Sequence, residues 1–395
     1  MKSTNWIRAL AATALLASAC GSTPTAKVTP GSTPAASSDP SAVVTYSPSP
    51  SPATPNVTPT SPKSTPCVTT HTTAGFPPAA TSNRKLALVT LHGSGQVVVR
   101  DITDISHAFT VSNVAADRPQ FVSATDLSYV DGDQLIRAPL TGSPRTVVAT
   151  ACDYMADFAW SPDGNTVVYL TPTSSAYTVH QLAAGKDRVF GSVPQTPAVG
   201  CEQVANCFGA DTWDYGVSYS RDGGFTSYVN SVANVSAFRL WASNGQLLKS
   251  SNSQSPFMTA WSGNSLYFRD AKGVEVWRAG VVSPFVPGVA WIRPHASACG
   301  LIVYQTRDAQ RWSHTYVVDT TSGRVRDLGK AHAEPAFLSC RYVWYLGERA
   351  CVPADGCGTR VAGVPSGKTY IFDLLDGTET ESVITRVLDV WPHAA

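Results

Sequence analysis

From Arg84 onward the chain alternates short apolar runs with turn-forming residues, and it never sustains a helical period. Runs rich in Val, Tyr, Phe, Thr and Trp are separated by Gly, Asn, Asp and Ser, the pattern of strands joined by tight turns. The pattern is also self-similar. Asp157-Phe158-Ala159-Trp160-Ser161-Pro162-Asp163-Gly164, followed by Asn165 to Leu170, aligns with Tyr215 to Val229. Weaker copies follow at 258–268 and 336–346. Each copy predicts a strand, an Asp-Gly-type turn and a second strand.

A third strand is predicted after each hairpin, at Tyr177–His180, Phe238–Trp241, Val274–Trp277, Thr315–Asp319 and Thr369–Asp373. Most are followed by a glycine turn (Gly185, Gly245, Gly323, Gly377) and a short polar outer strand such as Arg188-Val189-Phe190 or Arg324-Val325-Arg326. Four strands recurring at this spacing predict an all-β fold, a single β-propeller.

The Trp160-Ser161-Pro162-Asp163-Gly164 hairpin, with Tyr169 downstream, resembles the repeat of TolB-type, WD-like periplasmic propellers. A second copy matches except at Arg221, and the others are degenerate. The resemblance covers the repeats of 84–395 and implies a fold rather than an activity. The family's namesake carries a separate N-terminal α/β domain, which this chain replaces with a tether.

Counting repeats gives about seven four-stranded blades. Six are consecutive, at about 118–150, 155–192, 212–250, 255–287, 288–330 and 334–384. The seventh is split: residues 85–114 give three strands, and Val387-Leu388-Asp389-Val390-Trp391-Pro392 supplies an inner strand beside Leu86-Ala87-Leu88-Val89. Such closure removes exposed sheet edges.

The N-terminal segment changes the picture of location. Lys2 and Arg8 precede an apolar run from Ala9 to Leu16, and Ala17-Ser18-Ala19-Cys20 closes it. This reads as a lipoprotein signal over 1–19 with Cys20 lipidated, hence an extracytoplasmic protein anchored to a bacterial membrane by lipid alone. A secretory peptide with an incidental cysteine is the alternative, favoured by Ala17 where leucine is commoner. Residues 20–82 are rich in Ser, Thr, Pro and Ala and predict a disordered tether, with the propeller at 83–395. At ~3.1 Å per residue, about 60 residues reach roughly 190 Å.

Of the 9 cysteines, 8 remain after Cys20, an even number that reads as disulfides in an exported chain. Cys201/Cys207 and Cys351/Cys357 each predict a stapled loop. Cys299 and Cys340 precede the second strands of neighbouring blades and are expected to bridge. Cys67 and Cys152 are then left for each other, which pins the tether near the second and third blades. No CxxC occurs, and no metal or other cofactor is expected. With charged residues at 14% and net charge +1, no basic surface for nucleic acid is indicated.

Fragments that imitate catalytic motifs read better as turns. Gly363 to Thr369 lacks the glycine spacing and following helix of a phosphate loop. Leu91-His92-Gly93-Ser94-Gly95 lacks a matching G-x-S-x-G elbow. Ser220 to Thr226 fits the Asp-box of sialidase-like propellers, and there too Asp222 and Gly223 form a turn. Trp160, Trp241, Trp261 and Trp277 occupy repeat positions and are expected to pack between blades.

Insertions at 191–214 and 349–367 carry the two stapled loops and emerge on one face. There Trp213, Asp214, Tyr215 and Trp291 are the candidate binding residues. The leading expectation is a monomeric, non-catalytic module that binds an envelope protein, peptide or glycan. A hydrolase or lyase acting in the central channel is the alternative.

Overall fold

The computed structural model describes residues 69–76, 83–93, 96–114, 117–194, 215–232, 235–251, 257–270, 273–287, 292–352, 355 and 363–393. Their strands form seven antiparallel sheets. Six sheets use consecutive strands, over 117–150, 157–194, 215–251, 257–287, 292–330 and 332–382. They are blades 2 to 7. Blade 1 is the split one, ordered Ile384–Trp391, Leu86–Leu91, Val97–Asp101, Phe109–Val114. Its register sets Leu86 opposite Trp391, Ala87 opposite Val390 and Leu88 opposite Asp389, so the last strand of the chain closes the ring as predicted.

The repeated hairpins form for a local reason. In five blades a serine hydroxyl ends the inner strand and accepts backbone N–H groups across the turn, at Ser123, Ser161, Ser220, Ser297 and Ser339. Asp163 and Asp222 tighten two of these turns, accepting from Ser161 Oγ at 2.6 Å and Ser220 Oγ at 2.9 Å. Gly164 and Gly223 follow at φ +68° and +67°, where a Cβ is disfavoured. These aspartates therefore shape turns, as the sequence implied.

The core lies between blades rather than within one sheet. Trp160, Phe158 and Tyr169 pack with Leu135 and Val148 of blade 2. Trp261 and Trp277 pack with Phe238 and Leu240 of blade 4. Trp160, Trp241, Trp261 and Trp277 are all buried, so the expected inter-blade packing is found.

The strands Leu86–Leu91 and Val97–Asp101 pair as a hairpin, with the Leu91 N–H on the Gln96 carbonyl. The segment Gly363 to Thr369 was expected to be a turn and instead belongs to the strand Gly363–Asp373. Its pairing partner, Tyr342–Ala350, runs three rungs further than the sheet needs, with Glu348, Arg349 and Ala350 opposite Pro365, Val364 and Gly363.

Pairing begins upstream of 83. Thr70–His71 adds a fifth strand to blade 2, opposite Thr150 and Ala149, and the Thr72 N–H donates to the Val148 carbonyl. Phe76 then meets Trp160 edge-on at 4.9 Å between centroids. A Cβ on Gly185 would lie 2.0 Å from the Thr73 carbonyl oxygen, so this strap crosses the outer turn of blade 3 at backbone contact.

Cys299 and Cys340 form the expected disulfide, with Cα atoms 5.6 Å apart. Cys152 and Cys351 are also disulfide-bonded. Cys20, Cys67, Cys201, Cys207 and Cys357 lie outside the described residues.

Candidate functional site

In an antiparallel four-stranded blade, the connections between blades and those between second and third strands share one face, here termed the loop face. The hairpin turns after the inner and third strands share the other, the turn face. The end of the strand Lys186–Pro194, the start of Tyr215–Tyr219 and the end of Tyr342–Ala350 therefore all lie on the loop face. The Cys299–Cys340 bridge lies on the turn face, in the first turns of blades 6 and 7.

On the loop face, Asp355 accepts two bonds from the Arg349 guanidinium, at 2.7 and 2.8 Å, and one from the Val352 N–H at 2.9 Å. These bonds, led by Arg349, lower the Asp355 carboxyl to about 2. The base of the Cys351 loop is thus held by charge as well as by its disulfide. Trp213, Asp214 and Trp291 lie outside the described residues, and Tyr215 opens the inner strand of blade 4 through its backbone.

The inner strands of blades 1 to 6 surround a cavity of about 300 Å³. Its lining includes Gln120, Tyr219, Arg221, His295, Asp389 and His393. Because His393 and Arg221 follow the inner strands, the cavity occupies the end of the channel nearer the turn face.

Polar groups of the inner strands, Asp157 beside the lining residues Gln120, His295 and Asp389, fasten one blade to the next. Asp389 Oδ2 accepts the Phe121 N–H at 2.7 Å, and Gln120 Nε2 donates to the Phe158 carbonyl at 3.0 Å. Asp157 Oδ2 accepts the Val217 N–H at 2.8 Å, and His295 Nδ1 accepts the Phe337 N–H at 3.2 Å. Each bond crosses from one inner strand to the next in the ring, satisfying three backbone N–H groups and, at Phe158, a backbone carbonyl.

Burial pushes the Asp157 carboxyl up to about 6, against the pull of the Val217 N–H and of Arg118. Burial likewise lowers His295 to about 4, opposed by the Asp389 charge. His393 behaves differently. Burial lowers it, but Asp389, 3.1 Å from Nε2, more than offsets this and the net shift is upward. His393 and Asp389 therefore form a hydrogen-bonded couple in the channel wall. Sequence reading missed these channel groups, because each is tied to a neighbouring inner strand, 268 residues away for Asp389 and Phe121, and they share no motif.

Among the described residues, no group of three or more His, Cys, Asp and Glu side chains is placed to hold a metal ion. No helix among them is long and apolar enough to cross a membrane.

No protein-family model matches the chain, and no curated protein sequence does. Solved structures do. The chain is similar to TolB from Acinetobacter baumannii. The identity is 16% and the TM-score 0.38, over 67% of this chain and 65% of that one. It is also similar to a puromycin-hydrolyzing peptidase of Mycobacterium tuberculosis, at 13% identity and TM-score 0.49 over 78% of this chain and 53% of that one. The tricorn protease gives 10% identity and TM-score 0.47 over 81% of this chain and 35% of that one. The chain spans less than two thirds of each of these. The propeller assignment rests on the strand order itself.

Proposed function

We propose that this chain is a lipid-anchored extracytoplasmic protein whose propeller binds an envelope protein, peptide or glycan on its loop face, without catalysis. The observation that carries the reading is the commitment of the channel's polar groups. Asp157, Asp389, His295 and Gln120 are each engaged by a neighbouring blade's backbone. General acid–base chemistry needs groups that can exchange protons with a substrate. The channel thus serves as an axle, and recognition falls to the loop face, where Cys351 and the Arg349–Asp355 pair brace a projecting hairpin.

A channel hydrolase is the second reading, favoured by one observation. His393 Nε2 lies 3.1 Å from Asp389, the base-and-orienter half of a nucleophilic site. No hydroxyl or thiol among the described residues hydrogen-bonds to His393.

The two readings are separated by cross-linking capture from envelope extract with the full chain, a variant lacking 195–214, and His393→Gln. Binding on the loop face requires a defined partner that His393→Gln retains and the deletion loses. Hydrolysis of peptide or ester substrates, abolished by His393→Gln, would instead establish the channel as an active site.

A further inference from the structure

Blade 7 and the split blade 1, which holds the closing seam, enclose a cavity of about 390 Å³. One wall is the third strand of blade 1, Val97–Asp101, with the short 3₁₀ turn Ile105–His107. The other is the third and outer strands of blade 7.

Side chains of Val97–Asp101 alternate as a strand requires. Val99 packs toward blade 2 with Leu88 and Phe121. Val98 and Ile102 pack toward blade 7 with Ala336, Leu338 and Trp344. Arg100 is in phase with Val98 and Ile102, so a guanidinium occupies a position that the pattern would give to an aliphatic residue.

Arg100 Nη2 donates to the Ala108 carbonyl. Its Nε is buried and has no partner among the described residues. The carboxylates of the cavity are engaged elsewhere. Asp373 receives Arg341 Nε at 2.8 Å through both oxygens, and Glu381 receives Lys368 Nζ at 2.9 Å. Much of the remaining lining is apolar: Ile105, Ala108, Tyr342, Ile371 and Ile384. A guanidinium N–H that is buried without an acceptor is costly, and an anion that enters beside Arg100 reduces that cost.

We propose that this seam cavity binds a small amphiphilic carboxylate, its head on Arg100 and its apolar body against Ile105, Tyr342 and Ile371. The planar guanidinium suits a carboxylate. The volume lies in the range of small-molecule sites. A neutral ligand of the same shape leaves Arg100 uncompensated and binds poorly.

The test is calorimetric titration of the full chain with octanoate, octan-1-ol and octyl phosphate, repeated on Arg100→Met, which keeps volume and removes charge. The expected result is saturable octanoate binding, weakened at least tenfold by Arg100→Met, with octanol at least tenfold weaker than octanoate. Thermal melts of the unmodified chain give a second reading that needs no variant: octanoate raises the midpoint and octanol at equal concentration does not. Absence of saturable octanoate binding, or equal affinity in Arg100→Met, overturns the proposal. Octyl phosphate binding more than tenfold tighter than octanoate overturns the carboxylate assignment.

Discussion

The carboxylate of Asp389 accepts the backbone N–H of Phe121 at 2.7 Å, joining the last strand of the chain to the inner strand of blade 2 across 268 residues. Asp389→Ala leaves that donor buried without its acceptor, which costs about 1–3 kcal/mol. Urea unfolding checks this. A change below a few tenths of a kcal/mol would mean that water replaces the carboxylate at no cost.

Deleting 386–395 removes most of the strand that covers Leu86–Leu91 and leaves that edge unpaired. Calorimetry of the truncated chain is expected to show a broadened transition at lower temperature, with dimers or larger species in size exclusion. An unchanged, sharp melt of a monomer would refute the closing role of the last strand.

Two channel groups give opposing pH dependences. The folded Asp157 carboxyl, at about 6, lies above its ordinary 3.8. Its contribution is fully present below about 3.8 and is lost as pH rises through about 6. His295, at about 4 against an ordinary 6.5, contributes fully above 6.5 and loses that contribution as pH falls through about 4. The two oppose each other across one window and flatten its profile. Asp157→Asn keeps an acceptor for Val217 and removes one side of the balance. Relative to the unmodified chain, it should gain about 2 kcal/mol between pH 4.5 and 7.5. Unfolding curves at the two pH values decide it, and an identical difference at both would reject the assignment.

Gly185 and Gly323 separate backbone strain from contact with the N-terminal strap. Both are left-handed, at φ +70° and +69°, but a Cβ at Gly323 meets nothing within 4 Å. Gly323→Ala should cost about 1 kcal/mol, the penalty of the conformation alone. Gly185→Ala also drives into the Thr73 carbonyl, so it should cost at least about 1 kcal/mol more and expose Phe76 to chymotrypsin. Equal costs, with Phe76 still protected, would show that the strap yields without loss.

Much of the ring was legible in the sequence because its determinants are local. Ser161-Pro162-Asp163-Gly164 encodes a turn through side chains that bond within five residues, and the apolar alternation of the flanking strands repeats it. The split blade followed from counting, since Val387 to Trp391 reads as a strand without a hairpin mate. Thr70–His71 escaped because a two-residue outer strand is held by backbone bonds and leaves no apolar pattern in a Ser/Thr/Pro-rich segment. The fasteners Asp157, His295 and Asp389 escaped for a different reason: each is defined only by a strand of the next blade. Arg100 is the sharpest case, since a lone arginine in a strand reads as solvent-facing until the neighbouring blade is placed against it.

The strap along blade 2 has a mechanical consequence. A pull on the chain ahead of Thr70 meets the rungs to Thr150 and Ala149 first, then the wedge of Phe76 against Trp160. Only beyond these does it reach Leu86 and the seam. Load from the N-terminal side is therefore taken by the flanks of blades 2 and 3, and the joint that holds the ring shut is shielded from it.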